Sequence, residues 1–284
     1  MIGEFWDRLD ADLARVPGAP ELRELPLHSS PTFTTYALRL TSIGPYRLFG
    51  YFSVPNGRQT APGLLLTPRY GSVNHVPDYH DRERYAVLQI MHRGQRLADK
   101  PFAAAYPGLL TLGIESPETS IYRAIVADCL RAAEFLLARP EVERSRVGIQ
   151  GDDLALLTAA RRQGFSHLVL EETLLYRLLE RAETTSEYPF EEINDHLRGA
   201  PGARAQVERT LAAFDATPLA SAVRSSALLV EGNEMGWLEP LRRALPRSET
   251  YRLTHLGAVD HDWIDGWLAT GLGSEPRPRF IESP

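Results

Sequence analysis

The chain has 284 residues, of which 43% are hydrophobic, and its formal net charge is −6. A chain of this size can bury one large core, and single α/β domains of this length are common. The 31 basic residues are scattered rather than gathered into a stripe, which argues against nucleic acid as a partner.

The cysteine content and the N-terminus predict a cytoplasmic protein. The single cysteine, Cys129, rules out an internal disulfide, and no Cys/His pair has the spacing of a structural zinc site. Residues 1–7 are acidic and amphipathic, without the basic region and apolar run of a signal peptide. No apolar run is long enough to span a bilayer, so no membrane association is expected.

The first predicted elements are an antiparallel hairpin followed by buried strands. Apolar and polar residues alternate at 36–40 and again at 48–54, with a break at 43–45. The runs at 64–66 and 85–91 are continuously apolar, which is typical of strands covered on both faces. A parallel sheet is therefore expected to begin here.

The middle of the chain predicts a long helix, a strand and a sharp turn. Ser116 and Pro117 predict a helix start, and apolar residues then recur on one face until Pro140. Residues 146–150 are expected to form a strand, 151–155 a turn and 156–162 a helix.

The last part predicts a helical insertion within an alternating α/β pattern. After a short strand at 167–170, a charged stretch at about 172–216 is expected to form a helical lid. The remaining elements are predicted as strands at 227–231 and 250–254 and helices at 238–245 and 263–269. The prediction is a single domain at 1–272 with about eight strands, mostly parallel and doubly wound, and a flexible tail at 273–284.

The turn at 151–155 resembles a nucleophile elbow. In α/β-hydrolases the nucleophile occupies the centre of Gly-x-Ser-x-Gly between a strand and a helix. Here the turn reads Gly-Asp-Asp-Leu-Ala, with Asp153 at the centre. An elbow of that kind would hold Asp153 at positive φ. The five-residue match is weak by itself.

Several longer segments resemble the acetyl xylan esterase and cephalosporin C deacetylase family of carbohydrate esterases. Residues 91–95, Met-His-Arg-Gly-Gln, resemble its Arg-Gly-Gln motif, and 106–114 resemble its Tyr-Pro-Gly…Gly-Ile segment. The likeness continues through the long helix, the elbow and the Tyr-Pro-Phe-Glu-Glu-Ile segment at 188–193. The resemblance implies an α/β-hydrolase fold, ester deacetylation, a small substrate such as an acetylated sugar, no cofactor, and a homo-oligomer.

The same resemblance assigns the residues of the site, and two members of the triad are substituted. The oxyanion hole would use the backbone N–H groups of Tyr70 and Leu154. Asp153 stands at the serine position and Met235 at the position of the acid, with Glu234 as a weak neighbouring candidate. For the histidine we prefer His261, expected just before the final helix, with His255 as the alternative.

The sequence is compatible with three roles for Asp153. A carboxylate at a helix N-terminus is often a structural, hydrogen-bonded end. The same geometry is a working nucleophile in haloalkane dehalogenases and epoxide hydrolases, where aspartate attacks a saturated carbon. A third possibility is chemistry that avoids Asp153. The chain is thus a degenerate esterase, an active hydrolase, or a non-catalytic subunit of an oligomer.

The remaining candidates are supporting residues, and each has a plain structural alternative. We expect Arg93 and Gln95 to tie loops together, and Tyr188 and Trp263 to line a pocket or pack in the lid. The histidines near the oxyanion segment fit no metal-ligand spacing, so no metal site is predicted; they are His75, His80 and His92.

Overall fold

The computed structural model describes residues 2–71, 75–233 and 236–278. Its strands are β1 Glu21–Glu24, β2 Phe33–Ser42, β3 Tyr46–Pro55, β4 Ala61–Leu66, β5 Ala86–Ile90, β6 Val142–Gly151, β7 His167–Glu171, β8 Ser226–Glu231 and β9 Ser248–Arg252. Its α-helices are α1 Ile2–Ala14, α2 Tyr79–Arg84, α3 Ile121–Leu137, α4 Asp153–Arg161, α5 Leu178–Thr184, α6 Glu191–Gly199, α7 Arg204–Ala212, α8 Thr217–Ala220, α9 Glu239–Ala244 and α10 Gly257–Gly271.

The described strands form one sheet in the order β1-β2-β3-β5-β4-β6-β7-β8-β9. The pairs β1·β2, β2·β3 and β3·β5 are antiparallel. The remaining pairs, β5·β4, β4·β6, β6·β7, β7·β8 and β8·β9, are parallel. The predicted hairpin and the mostly parallel, doubly wound sheet are confirmed. Strand β1 was not predicted, because all four of its residues are exposed and none carries the half-buried alternation that marks a strand.

Helices cover both faces of the sheet, and two apolar clusters fill the spaces beneath them. Leu65 on β4 belongs to the larger cluster, which includes the buried faces of α1, α3 and α4. Its neighbour Leu64 belongs to a second cluster with Ile264 and Leu268 of α10. Successive residues of a strand point to opposite faces, so the continuously apolar β4 follows from burial on both sides.

Two helix starts differ from those predicted. Helix α3 begins at Ile121 with Ser120 as its cap, whose Oγ accepts the N–H of Tyr122 at 3.3 Å; Ser116 and Pro117 lie in the preceding turn. Helix α10 begins at Gly257 rather than near residue 263. Its N-cap residue, Leu256, has no side chain that can accept a hydrogen bond, so no capping signal marks this start.

The 172–216 insertion is helical, and one buried side chain ties it to the body of the protein. Glu192 on α6 is 3% exposed. Its carboxylate accepts the hydroxyl of Tyr70 and, at 2.9 Å, the N–H of Leu110. The tail is anchored at its start: the N–H of Arg277 donates to Asp265 at 3.0 Å.

Candidate active site

The elbow lies where β6 passes into α4. Gly151, the last residue of β6, has φ +155°, and a Cβ at this position would fall on Oγ1 of Thr67. Glycine is therefore required by both backbone conformation and space. The strand, turn and helix order of the predicted elbow is present.

The conformation of the elbow differs from the one predicted. Asp153 is the first residue of α4 and is not among the residues with positive φ. The predicted strain at Asp153 is wrong, because Asp152 caps the helix in an extended conformation (φ −86°, ψ −154°) and lets Asp153 enter it without a left-handed turn.

The carboxylate of Asp153 points into the protein. The side chain is 0% exposed. Its Oδ2 accepts the N–H groups of Leu174 at 2.5 Å and Leu175 at 2.9 Å, and its Oδ1 accepts the N–H of Tyr176 at 2.9 Å. Both oxygens are therefore occupied by backbone donors of the loop that follows β7.

Asp152 occupies one of the two proposed oxyanion donors. Its Oδ1 accepts the N–H of Leu154 at 2.9 Å, which is the N-cap bond of α4. An N–H that already donates to an ionised or neutral carboxyl group is not free to stabilise a developing oxyanion.

The two adjacent carboxyl groups share a nearly water-free environment. Burial raises the pKa of Asp152, and the charge of Asp153 raises it further. Burial also raises the pKa of Asp153, but its three backbone donors oppose that effect. Asp153 therefore holds the negative charge, and Asp152 is the member of the pair that takes up a proton more readily.

The second proposed oxyanion residue, Tyr70, follows β4 and is tied to the lid. Its hydroxyl donates to Glu192, and its ring meets that of Tyr106 edge to face at 5.1 Å. Burial raises the pKa of Glu192, while the backbone N–H groups of Gly108 and Leu110 oppose that effect.

The histidine candidates lie on other elements. His261 is in the second turn of α10, and its Nδ1 is 3.5 Å from Asp262 Oδ1. The expectation that His261 precedes the final helix is wrong. His255 is exposed, with φ +63°, in the loop between β9 and α10. All three described hydrogen-bond donors to Asp153 are backbone groups, so the structure joins neither histidine to it.

A cavity of about 380 Å³ lies between α2, α10 and the carboxyl ends of β4, β6 and β7. His261 and the backbone of Gly151 line it, whereas Asp152 and Asp153 do not. Its other lining residues are Leu64, Leu66, Thr67, Arg69, His75, Asp78, Asp81, Gln89, Gln150, Glu171, Ile264, Asp265 and Leu268. Arg69 pairs with Glu171, which also accepts from Gln150 Nε2 at 2.9 Å. The cavity is thus lined by both aliphatic and polar side chains.

Two of the predicted support residues are buried in internal contacts. Arg93 donates to both oxygens of Asp128, at 2.9 and 2.6 Å, and its guanidinium lies 4.1 Å from the ring centre of Tyr46. Gln95 Oε1 accepts the N–H of His92 at 3.0 Å.

The other two support residues lie on the surface. Tyr188 donates to Asp195 at 2.6 Å, and Trp263 stacks on Tyr251 at 4.1 Å. Neither residue lines the cavity. Glu234 and Met235 lie outside the described residues. In the part of the chain that the structure describes, no three His, Cys, Asp or Glu side chains gather as a metal site would require.

Comparisons with known proteins identify the family. The acetyl xylan esterase (AXE1) family model matches residues 2–240. The chain belongs to the acetyl xylan esterase family. The acetyl xylan esterase from Paenibacillus sp. R4 superposes with a TM-score of 0.81 at 21% identity, covering 94% of this chain and 93% of that one.

Two further solved structures show how widely the fold is shared. Acetyl xylan esterase 1 from Thermoanaerobacterium sp. JW/SL YS485 has a TM-score of 0.78 at 19% identity, over 92% of this chain and 91% of that one. An acylaminoacyl peptidase from Pyrococcus horikoshii has a TM-score of 0.61 at 14% identity, over 89% of this chain but 43% of that one. At these identities the likeness concerns the α/β-hydrolase fold.

Sequence reasoning missed the partners that define the elbow. The turn sequence alone assigns no role to Asp152, although an Asp directly before a helix is a recognisable N-cap signal. The backbone donors at 174–176 could not be found from side-chain patterns, because N–H groups carry no sequence signature.

Proposed function

We propose that this member of the acetyl xylan esterase family does not hydrolyse esters through its elbow. It keeps the fold and binds a small polar molecule, such as an acetylated sugar, without triad chemistry. The observation that carries the proposal is the carboxylate of Asp153, which is 0% exposed and accepts three backbone N–H groups.

The same observation weighs against Asp153 as a displacement nucleophile. Attack on a saturated carbon needs a carboxylate oxygen within about 3–3.5 Å of the substrate carbon. Releasing either oxygen would leave buried backbone donors unpaired, at about 1–3 kcal/mol for each group. A histidine-activated water would also be required, and neither His261 nor His255 is bonded to Asp153.

The state of Leu154 supports the proposal independently. Its N–H donates to Asp152 at 2.9 Å, so the donor that should follow the nucleophile is engaged by the protein itself. Loss of one oxyanion donor costs roughly 10²–10³ in kcat in a serine protease. Replacing Asp153 by serine alone is therefore expected to leave activity near background.

The test compares three substrate classes on the unaltered protein: p-nitrophenyl acetate, a set of alkyl halides and a set of epoxides. We expect no turnover above that of heat-denatured protein in any class. Turnover of halides or epoxides alone would establish the aspartate mechanism. Turnover of the acetate that is lost in Asp153→Asn would show ester hydrolysis through the elbow and contradict the proposal. Turnover that survives Asp153→Asn would place catalysis outside the elbow and contradict the expectation of binding without hydrolysis.

Ligand binding is tested separately by calorimetry with acetylated and free monosaccharides. Binding without hydrolysis is the expected result. If neither set binds, the assignment of a sugar ligand is wrong, but the proposal that the elbow is not catalytic is unaffected.

The proposal includes a homo-oligomer in the cytoplasm. The family resemblance reaches the early hairpin, and the single cysteine, Cys129, is buried and unpaired in α3, which suits a reducing compartment. Light scattering at micromolar concentration should give a multiple of 31.7 kDa. A mass equal to one chain would contradict the oligomer. No helix within the described segments is long and apolar enough to cross a membrane.

A further inference from the structure

Two buried polar side chains near the elbow have atoms without a hydrogen-bond partner. His92, two residues beyond β5, is 1% exposed, and Tyr122, in the first turn of α3, is 3% exposed. Their ring centres are 6.4 Å apart at an angle of 77°. No described residue bonds to Nε2 of His92 or to the hydroxyl of Tyr122. Buried polar atoms are nearly always satisfied, so each needs a partner.

The local contacts fix the hydrogen-bonding character of the His92 ring. Nδ1 is 3.2 Å from the carbonyl oxygen of Arg93, which can only accept, so Nδ1 carries the proton. Burial lowers the pKa of His92 to about 4, and the ring is neutral at pH 7. Nε2 is therefore a bare acceptor.

Tyr122 supplies the complementary donor. Burial raises the pKa of Tyr122 well above its ordinary value, and the charge of Asp152 adds to the effect. The hydroxyl therefore keeps its proton at neutral pH.

We propose that His92 and Tyr122 form a binding site for one hydroxyl group, supplied either by water or by a small polyol. A hydroxyl donates one proton and accepts another, so it can donate to His92 Nε2 while it accepts from Tyr122. An ion without a hydrogen-bond donor could not donate to His92 Nε2, and an ammonium group could not accept from Tyr122. The site stands whether or not the elbow is catalytic.

The direct test is the ¹⁵N chemical shift of His92 Nε2 in protein labelled with ¹⁵N-histidine. The signal is assigned by its loss in His92→Phe. At pH 7 in buffer alone, the shift of a hydrogen-bonded unprotonated nitrogen would assign the site to water. That shift appearing only when glycerol is added, and saturating, would assign it to a polyol. The shift of a bare nitrogen under both conditions would overturn the proposal.

The stability of Tyr122→Phe gives a second test, in which the direction of the change in stability decides the outcome. If the hydroxyl is bound, the variant loses a hydrogen bond, and the folded-to-unfolded ratio should fall about fivefold. If the hydroxyl is an orphan, its removal would leave that ratio unchanged or raise it, and the proposal would be wrong.

Tyr46→Phe is the matched control for that measurement. The hydroxyl of Tyr46 donates to the carbonyl of Ala98 at 2.5 Å and accepts the N–H of Gly94 at 3.2 Å, so its removal must lower the ratio if denaturation can detect lost hydrogen bonds. Should Tyr122→Phe fail to fold, the ¹⁵N measurement on the unaltered protein decides alone.

Discussion

Two buried carboxylates, at the elbow and under the first hairpin, are stabilised by different partners. Asp128 on α3 is 1% exposed and receives both arms of the Arg93 guanidinium, at 2.9 and 2.6 Å. Asp153 is 0% exposed and receives only neutral backbone N–H groups. Both acids lie in segments that resemble family motifs, yet in each acid both oxygens accept hydrogen bonds from within the protein. A motif position thus identifies where a carboxylate lies in the fold. Whether the carboxylate can react depends on whether one of its oxygens is not already hydrogen-bonded inside the protein.

Replacing Asp128 by asparagine should have the largest effect. The change leaves the buried charge of Arg93 without its counter-charge, and breaking one partner of such a pair costs about 3–5 kcal/mol. Guanidinium chloride unfolding measures the loss. A change below about 1 kcal/mol would show that Arg93 is solvated and that the pair is not a buried one.

Replacing Asp153 by asparagine should cost less, about 2–3 kcal/mol. One amide oxygen still accepts from the 174–176 loop, but the NH₂ group then faces an N–H donor. Asp195→Asn is the matched control, because Asp195 is 49% exposed on α6 and should change stability by less than about 0.5 kcal/mol. Equal effects at the two positions would contradict the anchoring of Asp153.

Asp152→Asn should reveal how much stability is lost by placing two carboxyl groups side by side. Burial and the Asp153 charge raise the pKa of Asp152 above its ordinary 3.8. A carboxyl group with a raised pKa resists ionisation in the folded state more than in the unfolded state. The unaltered protein therefore loses stability as the pH rises above the ordinary pKa of 3.8. Asparagine still caps the helix but does not ionise.

The Asp152→Asn variant should therefore match the parent near pH 4 and exceed it by about 1–2 kcal/mol at pH 8. Denaturant unfolding across that pH range gives the comparison. A parent that gains stability relative to the variant with rising pH would mean that Asp152 is ionised and favourably paired.

Glu192→Gln should have the smallest effect, about 1 kcal/mol. The amide can keep one acceptor for Leu110 or Tyr70 but cannot serve both equally. Because Glu192 ties α6 to the body, proteolysis within 172–216 should accelerate. Glu191→Gln on the same helix is the control, since the described partners of the Glu191 side chain, Asn194 and Arg198, both lie on α6. Equal acceleration in both variants would argue against the tie.

The sequence predicted the sheet better than the site, for a physical reason. The hairpin, β4 to β8 and the elbow's position follow from periodicity and from Gly151, which are local properties of the chain. The direction of the Asp153 side chain depends on donors at 174–176, about 20 residues away in sequence. Likewise no capping side chain marks the start of α10, and hence the place of His261; in its first turn Asp260 accepts hydrogen bonds from Tyr251 and Thr254, which precede the helix in sequence.

The central claim is that the Asp153 carboxylate faces inward and holds the loop after β7. Amide hydrogen exchange at Leu174, Leu175 and Tyr176 tests it most directly, since these three N–H groups are the donors to Asp153. We predict slow exchange in the unaltered protein, comparable with that of the neighbouring strands, and much faster exchange at the same three amides in Asp153→Asn. Rapid exchange of all three in the unaltered protein would mean that Asp153 is turned toward solvent and free to react, which would contradict the account.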